Sequence, residues 1–264
     1  MKIEVPLSMN KKEELSGGRI GKIHKMENKV IRPSNPWTKH IHDFLQFCYD
    51  NKINFVPIPY GINENGEEVL SFVKGEVFNE LPKHLDTDEM IISAAKLLSK
   101  FHMISQNYLN KLTGNEKWML EKNTPIEILC HGDFAPYNVT IVDNLAFGII
   151  DFDTLHPGSK LWDISYAIYR WTSIDAFKKS DISEIIRKIR LFLDAYGLSN
   201  DVKNMVLPTL IKRLEALVSF MKNEAENGNE DFQRNIDDGH LQKYLDDIEY
   251  LTFYQKNITN SILV

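Results

Sequence analysis

Residues 128–153 read Ile128-Leu129-Cys130-His131-Gly132-Asp133-Phe134-Ala135-Pro136-Tyr137-Asn138-Val139-Thr140-Ile141-Val142-Asp143-Asn144-Leu145-Ala146-Phe147-Gly148-Ile149-Ile150-Asp151-Phe152-Asp153. Two apolar runs, Val139–Val142 and Ala146–Ile150, flank Asp143-Asn144, a pair that tolerates the left-handed backbone of a tight turn, so the spacing predicts a hairpin. A short strand, Ile128–Cys130, leads into a polar loop ending at Asn138, and a second polar loop opens at Asp151. Such a hairpin carries both loops to its open end.

The residue types in those loops suit one chemistry. Phosphoryl transfer needs a carboxylate to orient the attacking hydroxyl and oxygen ligands that hold magnesium against nucleotide phosphates. Asp133 can accept from a hydroxyl, Asn138 offers a neutral amide oxygen to a metal, and Asp151 offers a charged one. An isolated Asp is usually a turn or cap residue. Here several stand in register with one another.

The pattern His131-Gly132-Asp133-x4-Asn138, followed by Ile150-Asp151-Phe152-Asp153, resembles the signature of the aminoglycoside phosphotransferase and choline kinase-like superfamily, relatives of protein kinases. The continuation Pro157-Gly158-x3-Trp162-Asp163-Ile164 is similar to that of bacterial phosphotransferase-family proteins. The resemblance implies that Asp133 is the catalytic base or hydroxyl-orienting residue, that Asn138 and Asp151 bind magnesium, and that Asp163 braces the catalytic loop from the following helix. It makes His131 a loop organiser bonded to backbone and leaves Asp153 either assisting the metal or capping its loop. His102, on the apolar face of a helix, reads as a satisfied core histidine.

Upstream, glycine, proline and asparagine separate short β-prone runs at Arg19–Ile23, Lys29–Arg32, Pro57–Ile62 and Val69–Val73. One helix is predicted over Pro36–Asp50, with Ile41, Phe44, Leu45 and Cys48 at helical spacing. Asn63-Glu64-Asn65-Gly66 is a hairpin turn. After Lys74-Gly75 the period becomes helical, at Ile91 to His102, Ile182 to Leu193, Leu210 to Leu217 and Leu241 to Leu251, while Asn223–Asp238 reads as an exposed loop or a solvated helix face. The expected fold class is α+β: a two-lobed protein-kinase-like fold with a small antiparallel-sheet N-terminal lobe, 1–73, and a larger, mainly helical C-terminal lobe, 74–264.

The small lobe would hold the nucleotide, ATP or alternatively GTP. Gly17 and Gly18 let backbone approach phosphates closely, although a Gly-Gly pair is more often a plain turn. Kinase-like folds place a Lys on the third strand; the matching position here holds Arg32, with Lys29 the competing candidate, and no Glu stands in the following helix to pair with it. Phe72 and Val73 resemble the hinge whose backbone bonds a purine.

A net charge of −6 and the lack of a Lys/Arg run argue against nucleic acid as a partner. Cys48 and Cys130 form no metal or disulfide pattern, and no apolar stretch reaches signal-peptide or membrane-spanning length, which makes the cytoplasm the default location. The partner expected is a small hydroxyl-bearing acceptor. Acidic residues between Glu224 and Glu249, with Phe220, Phe232, Tyr244, Tyr250 and Phe253, favour an aminoglycoside-like or amino-alcohol compound, against the simpler reading of a solvated face. A nucleotide-binding protein without turnover and a protein kinase are the alternatives; nothing between Asp151 and Pro157 resembles a peptide-docking segment.

Overall fold

The computed structural model describes residues 13–14, 23–174 and 181–263. Gly17, Gly18 and most of the Arg19–Ile23 run lie outside them. The small lobe is a sheet in the order β1-β2-β3-β5-β4, every pairing antiparallel, built from β1 (Glu13–Glu14), β2 (His24–Met26), β3 (Lys29–Pro33), β4 (Pro59–Ile62) and β5 (Glu67–Ser71). The predicted turn joins β4 to β5. Gly66 takes φ +77° there, and the Asn63 Oδ1 accepts from the backbone of Asn65 and Glu67. Helix α1 (Thr38–Asp50) starts two residues later than the sequence suggested and buries Ile41, Phe44, Leu45 and Cys48.

The expected boundary at residue 73 falls in the connection from β5 to α2 (Asp88–Tyr108). That connection is fastened to the larger lobe by paired backbone hydrogen bonds between Glu76 and Ile141. Gly75 is required beside them: a Cβ there would stand 2.8 Å from the Ile141 carbonyl.

The larger lobe contains β6 (Ile128–Cys130) paired with β9 (His156–Gly158), and the predicted hairpin of β7 (Val139–Val142) and β8 (Leu145–Ile149). Asp143 and Asn144 at its tip both take positive φ, +51° and +60°. Around these pack α3 (Lys160–Trp171), α4 (Ile182–Tyr196), α5 (Asn200–Lys203), α6 (Val206–Glu226), α7 (Glu230–Asp237) and α8 (His240–Leu263). The stretch 223–238 is the end of α6, a turn and α7, which buries no residue, so the solvated-face reading of that segment is the one that holds. One apolar core joins α1, α2, the hairpin and the C-terminal helices, with Phe44, Phe101, Phe152 and Trp171 among its largest members.

His156, on β9, is 1% exposed and bonds the Thr154 carbonyl through Nδ1 at 2.8 Å. Burial pushes its pKa down to about 4, so the folded ring stays neutral while the unfolded chain takes up a proton near pH 6.5. Its contribution to stability is therefore full above about pH 6.5 and lost as the pH falls towards 4, by up to about 3 kcal/mol. Denaturant unfolding at pH 7 and pH 5 should show this loss, and His156→Asn should flatten it. An equally steep pH dependence in the variant would assign the effect elsewhere.

Candidate active site

The loop after β6 is held from beneath by Asp163, one turn into α3. Its Oδ2 accepts from the His131 N–H at 2.7 Å and its Oδ1 from the Gly132 N–H at 2.9 Å. His102 Nε2 lies 3.0 Å from the same carboxylate, and His102 Nδ1 is 2.7 Å from the Tyr196 hydroxyl. Burial works against a charge on Asp163, but the His102 bond, the nearby histidines and the backbone N–H donors outweigh it and hold the pKa down to about 2. His102 is thus a satisfied core histidine, as expected, and also the partner that orients the brace.

Gly132 sits at φ +83°, where an added Cβ would meet the Thr154 carbonyl at 2.5 Å, so this position admits glycine on both conformational and steric grounds. The Gly132 carbonyl accepts from Arg213 Nη2 at 2.9 Å. His131 Nε2 donates to the Ile150 carbonyl at 3.0 Å and its Nδ1 accepts from the Asp133 N–H at 3.3 Å. Bonded to backbone at both nitrogens, this ring is the loop organiser that the resemblance suggested.

Asp133 is fixed at both carboxylate oxygens: Oδ1 accepts from the Tyr137 hydroxyl at 2.7 Å and Oδ2 from Asn138 Nδ2 at 2.9 Å. Burial raises its pKa, and the Tyr137 bond, with His131 and Arg170 nearby, pulls back only partly. With Nδ2 committed to Asp133, the other end of the Asn138 amide is its oxygen. The Asn138 carbonyl accepts from the Ile150 N–H at 2.9 Å, tying the first loop to the second one residue before Asp151.

Asp151 takes φ +58°, a conformation uncommon outside glycine, and its side chain is 46% exposed. The neighbouring Phe152 anchors it, packing 5.0 Å from the His131 ring and 5.9 Å from Phe101. Partial withdrawal from water by the surrounding loops opposes ionisation of Asp151, but Arg32 at 2.7 Å overrides it and lowers the pKa. Among the described residues no group of three or more His, Cys, Asp or Glu side chains could hold a metal alone. A neutral amide oxygen plus one carboxylate, completed by phosphate oxygens, is the hard-donor set that magnesium takes, so Asn138 and Asp151 fit the ion.

Arg32 and Lys29 are three apart on β3 and so point to opposite faces. Lys29 is exposed and lies over the Tyr60 ring, 5.3 Å from its centroid. Arg32 is buried and forms ion pairs with Glu68, with Asp151 at 2.7 Å and with Asp153 at 3.1 Å. The partner left undecided by the sequence is Glu68, which faces Arg32 across the β3–β5 register rather than from α1; α1 supplies His42, 3.3 Å from the second Glu68 oxygen. The signal was present in Glu68 itself, an acidic residue on the same strand face as buried Leu70. Asp153 also accepts from Trp37 Nε1 at 3.3 Å, and burial raises its pKa. Replacing Arg32 with Met should raise the nucleotide KM well beyond the effect of Lys29→Met and should also lower stability by about 3–5 kcal/mol, because Glu68 is left buried with only His42 beside it. Steady-state kinetics and thermal unfolding of the two variants check the ranking.

At the expected hinge, the Phe72 N–H donates to the Asn28 carbonyl at 2.7 Å and is not available to a purine unless that bond breaks; the Phe72 carbonyl and the Val73 peptide form no backbone bond with the described residues. Val73 packs against β8, where a Cβ on Gly148 would stand 2.5 Å from its side chain. Tyr137, in the Asp133 loop itself, is joined near Asp133 by Tyr166 and Tyr169 of α3 and Tyr244 of α8, with Tyr169 donating to Asp247 at 2.8 Å. Most of the acidic residues between 224 and 249 do not gather there: Glu226, Glu230, Asp237, Asp238 and Glu249 are exposed.

This fold and loop geometry define a class: a two-lobed, protein-kinase-like fold of the kind found in small-molecule phosphotransferases. Residues 119–178 match the model of the phosphotransferase enzyme family. Over 242 residues the chain is 24% identical to a trifolitoxin immunity protein of Rhizobium leguminosarum bv. trifolii, covering 83% of this chain and 90% of that protein. Among solved structures it is similar to an amicoumacin kinase in complex with AMP-PNP, Ca2+ and Ami, with a TM-score of 0.60, 12% identity and coverage of 86% of this chain and 88% of that one. A choline/ethanolamine kinase family protein from Mesorhizobium loti gives a TM-score of 0.60 at 13% identity, over 97% of this chain and 93% of that chain. The choline kinase LicA of Streptococcus pneumoniae gives 0.53 at 13% identity, over 92% and 94%. The resemblance first seen in the loop motifs thus extends to the whole fold. No described helix is long and apolar enough to cross a membrane.

Proposed function

We propose that the protein transfers the γ-phosphoryl group of ATP to a hydroxyl of a small molecule. The observation that carries this reading is the joining of three oxygen-bearing side chains at one hairpin end: Asp133, held at both oxygens, Asn138, whose amide is aimed by Asp133, and Asp151, tied in through the Asn138–Ile150 backbone bond. In the reaction the acceptor oxygen bonds to the γ-phosphorus as the bond to the ADP oxygen breaks, and the hydroxyl proton passes to the Asp133 carboxylate. Tyr137 and Asn138 keep that carboxylate in one orientation, and its raised pKa suits it to take a proton. Asn138 and Asp151 would hold Mg2+, which when bound neutralises phosphate charge. Arg32, facing Asp151, would meet the phosphates from the small-lobe side, and Gly17, Gly18, Phe72 and Val73 remain the proposed nucleotide contacts of that lobe.

The relatives named as an immunity protein and an amicoumacin kinase make a toxic or antibiotic compound one acceptor to test beside metabolites. The experiment is nucleotide consumption with Mg2+ against a panel of aminoglycosides, amino alcohols, hydroxy acids, sugars and their phosphates. Acceptor-stimulated ADP release, abolished in Asp133→Asn, is the expected outcome. Tight nucleotide binding without ADP release for any compound would favour a binding protein without turnover.

A further inference from the structure

Among the described residues three arginines line the cleft or lie buried beneath it, and Arg170 and Arg213 each have a buried Nε without a hydrogen-bond partner. Arg32 is neutralised by three carboxylates, and Arg213 donates to the Gly132 carbonyl while stacking on Tyr166, 4.6 Å from its centroid. Arg170, in the last turn of α3, differs. Its guanidinium lies 5.1 Å from the Tyr137 ring centroid and 5.7 Å from that of Tyr169, its Nε is buried without a hydrogen-bond partner, and no carboxylate among the described residues pairs with it. The groups that act on its charge are Tyr137, Tyr166 and Tyr244 together with the Asp133 carboxylate. Cation–π contact offsets part of the cost of withdrawing a guanidinium from water, but the buried Nε–H is left without a partner and no described side chain engages the rest of the fork.

The position of Arg170 relative to Asp133 limits what it can serve. The Oδ2 of Asp133 faces Asn138 and so the proposed metal side, whereas Oδ1 faces Tyr137, the ring on which Arg170 rests. Arg170 therefore stands on the side of Asp133 away from the phosphate-holding residues, where an acceptor would approach. The carboxylate that α8 brings to this wall, Asp247, is buried and accepts from Tyr169.

We propose that Arg170 binds an oxyanion, a carboxylate or a phosphate, carried by the acceptor whose hydroxyl is presented to Asp133. This rests on the phosphotransfer reading and replaces the amine-bearing acceptor suggested by the acidic C-terminal sequence. The tyrosines around Arg170 exclude water and stack on the carbon frame, and the planar fork supplies paired charge-assisted bonds to the anion.

The test is calorimetry on the full-length protein loaded with Mg2+ and AMP-PNP, with glycerate, glycerol 3-phosphate and ethanolamine as probes. At least one anionic probe should bind, ethanolamine should not, and Arg170→Met should weaken the anion at least about 10-fold. Arg170→Lys covers the case in which the Met variant does not fold. A lysine keeps a point charge but loses the fork, so binding of glycerol 3-phosphate that survives in Arg170→Lys indicates a phosphate, and loss of glycerate binding indicates a carboxylate. Failure of both anions to bind the wild type at millimolar concentration, or equal binding by wild type and both Arg170 variants, overturns the proposal. Anion binding without ADP release from any acceptor would sustain the Arg170 site and remove the phosphotransfer reading, so the two fail separately.

Discussion

Asp133→Asn is expected to lower turnover by at least about 100-fold while leaving nucleotide affinity close to the wild-type value. The substitution removes the proton acceptor and keeps the side-chain shape. It leaves in place the bonded pair Arg32–Asp151, to which the proposal gives the nucleotide phosphates. One structural consequence is foreseeable: an amide presents only one acceptor oxygen where the carboxylate serves both the Tyr137 hydroxyl and Asn138 Nδ2, so one of those bonds is lost. A thermal unfolding midpoint measured alongside the kinetics separates that local loss from the catalytic effect. Near-normal kcat in a folded variant would remove Asp133 from the mechanism.

The second large effect is expected at Asp151. Asp151→Ala should weaken Mg2+-dependent nucleotide binding at least about 10-fold, because the charged ligand contributes more to holding a divalent ion than the neutral amide of Asn138 does. The same change frees Arg32 from one of its three carboxylates, leaving Glu68 and Asp153 to balance it. Arg32 is then more attractive to phosphates, so nucleotide binding without Mg2+ should hold steady or improve. Calorimetry with and without Mg2+ reads the difference directly. An unchanged magnesium dependence would mean that another residue holds the ion.

The loops carrying Asp133, Asn138 and Asp151 were legible because their spacing is set by local chemistry. Asp143-Asn144 closes a hairpin whose two strands are each a short apolar run, and closure alone brings residues 138 and 151 together. The brace at Asp163 was also legible through its place in the motif. Less visible was why that brace works: His102 precedes it by 61 residues, and only packing of α2 against α3 puts the imidazole on its carboxylate.

Local pattern by itself therefore determined the antiparallel small lobe, the main helices, the hairpin and the loop residues at its end, since each follows from turn chemistry and periodicity over a few residues. Tertiary structure decided everything that depends on which charge meets which. Glu68 became the partner of Arg32 through a strand register that no spacing in the chain declares, the Phe72 N–H was taken by Asn28, and Arg170 was left without a carboxylate while the acidic residues from Glu226 to Glu249 turned mostly to solvent. The physical reason is range. Periodicity and turns are fixed by neighbours in sequence, whereas the pairing of buried charges is fixed by desolvation and distance between residues that only the folded chain brings into contact.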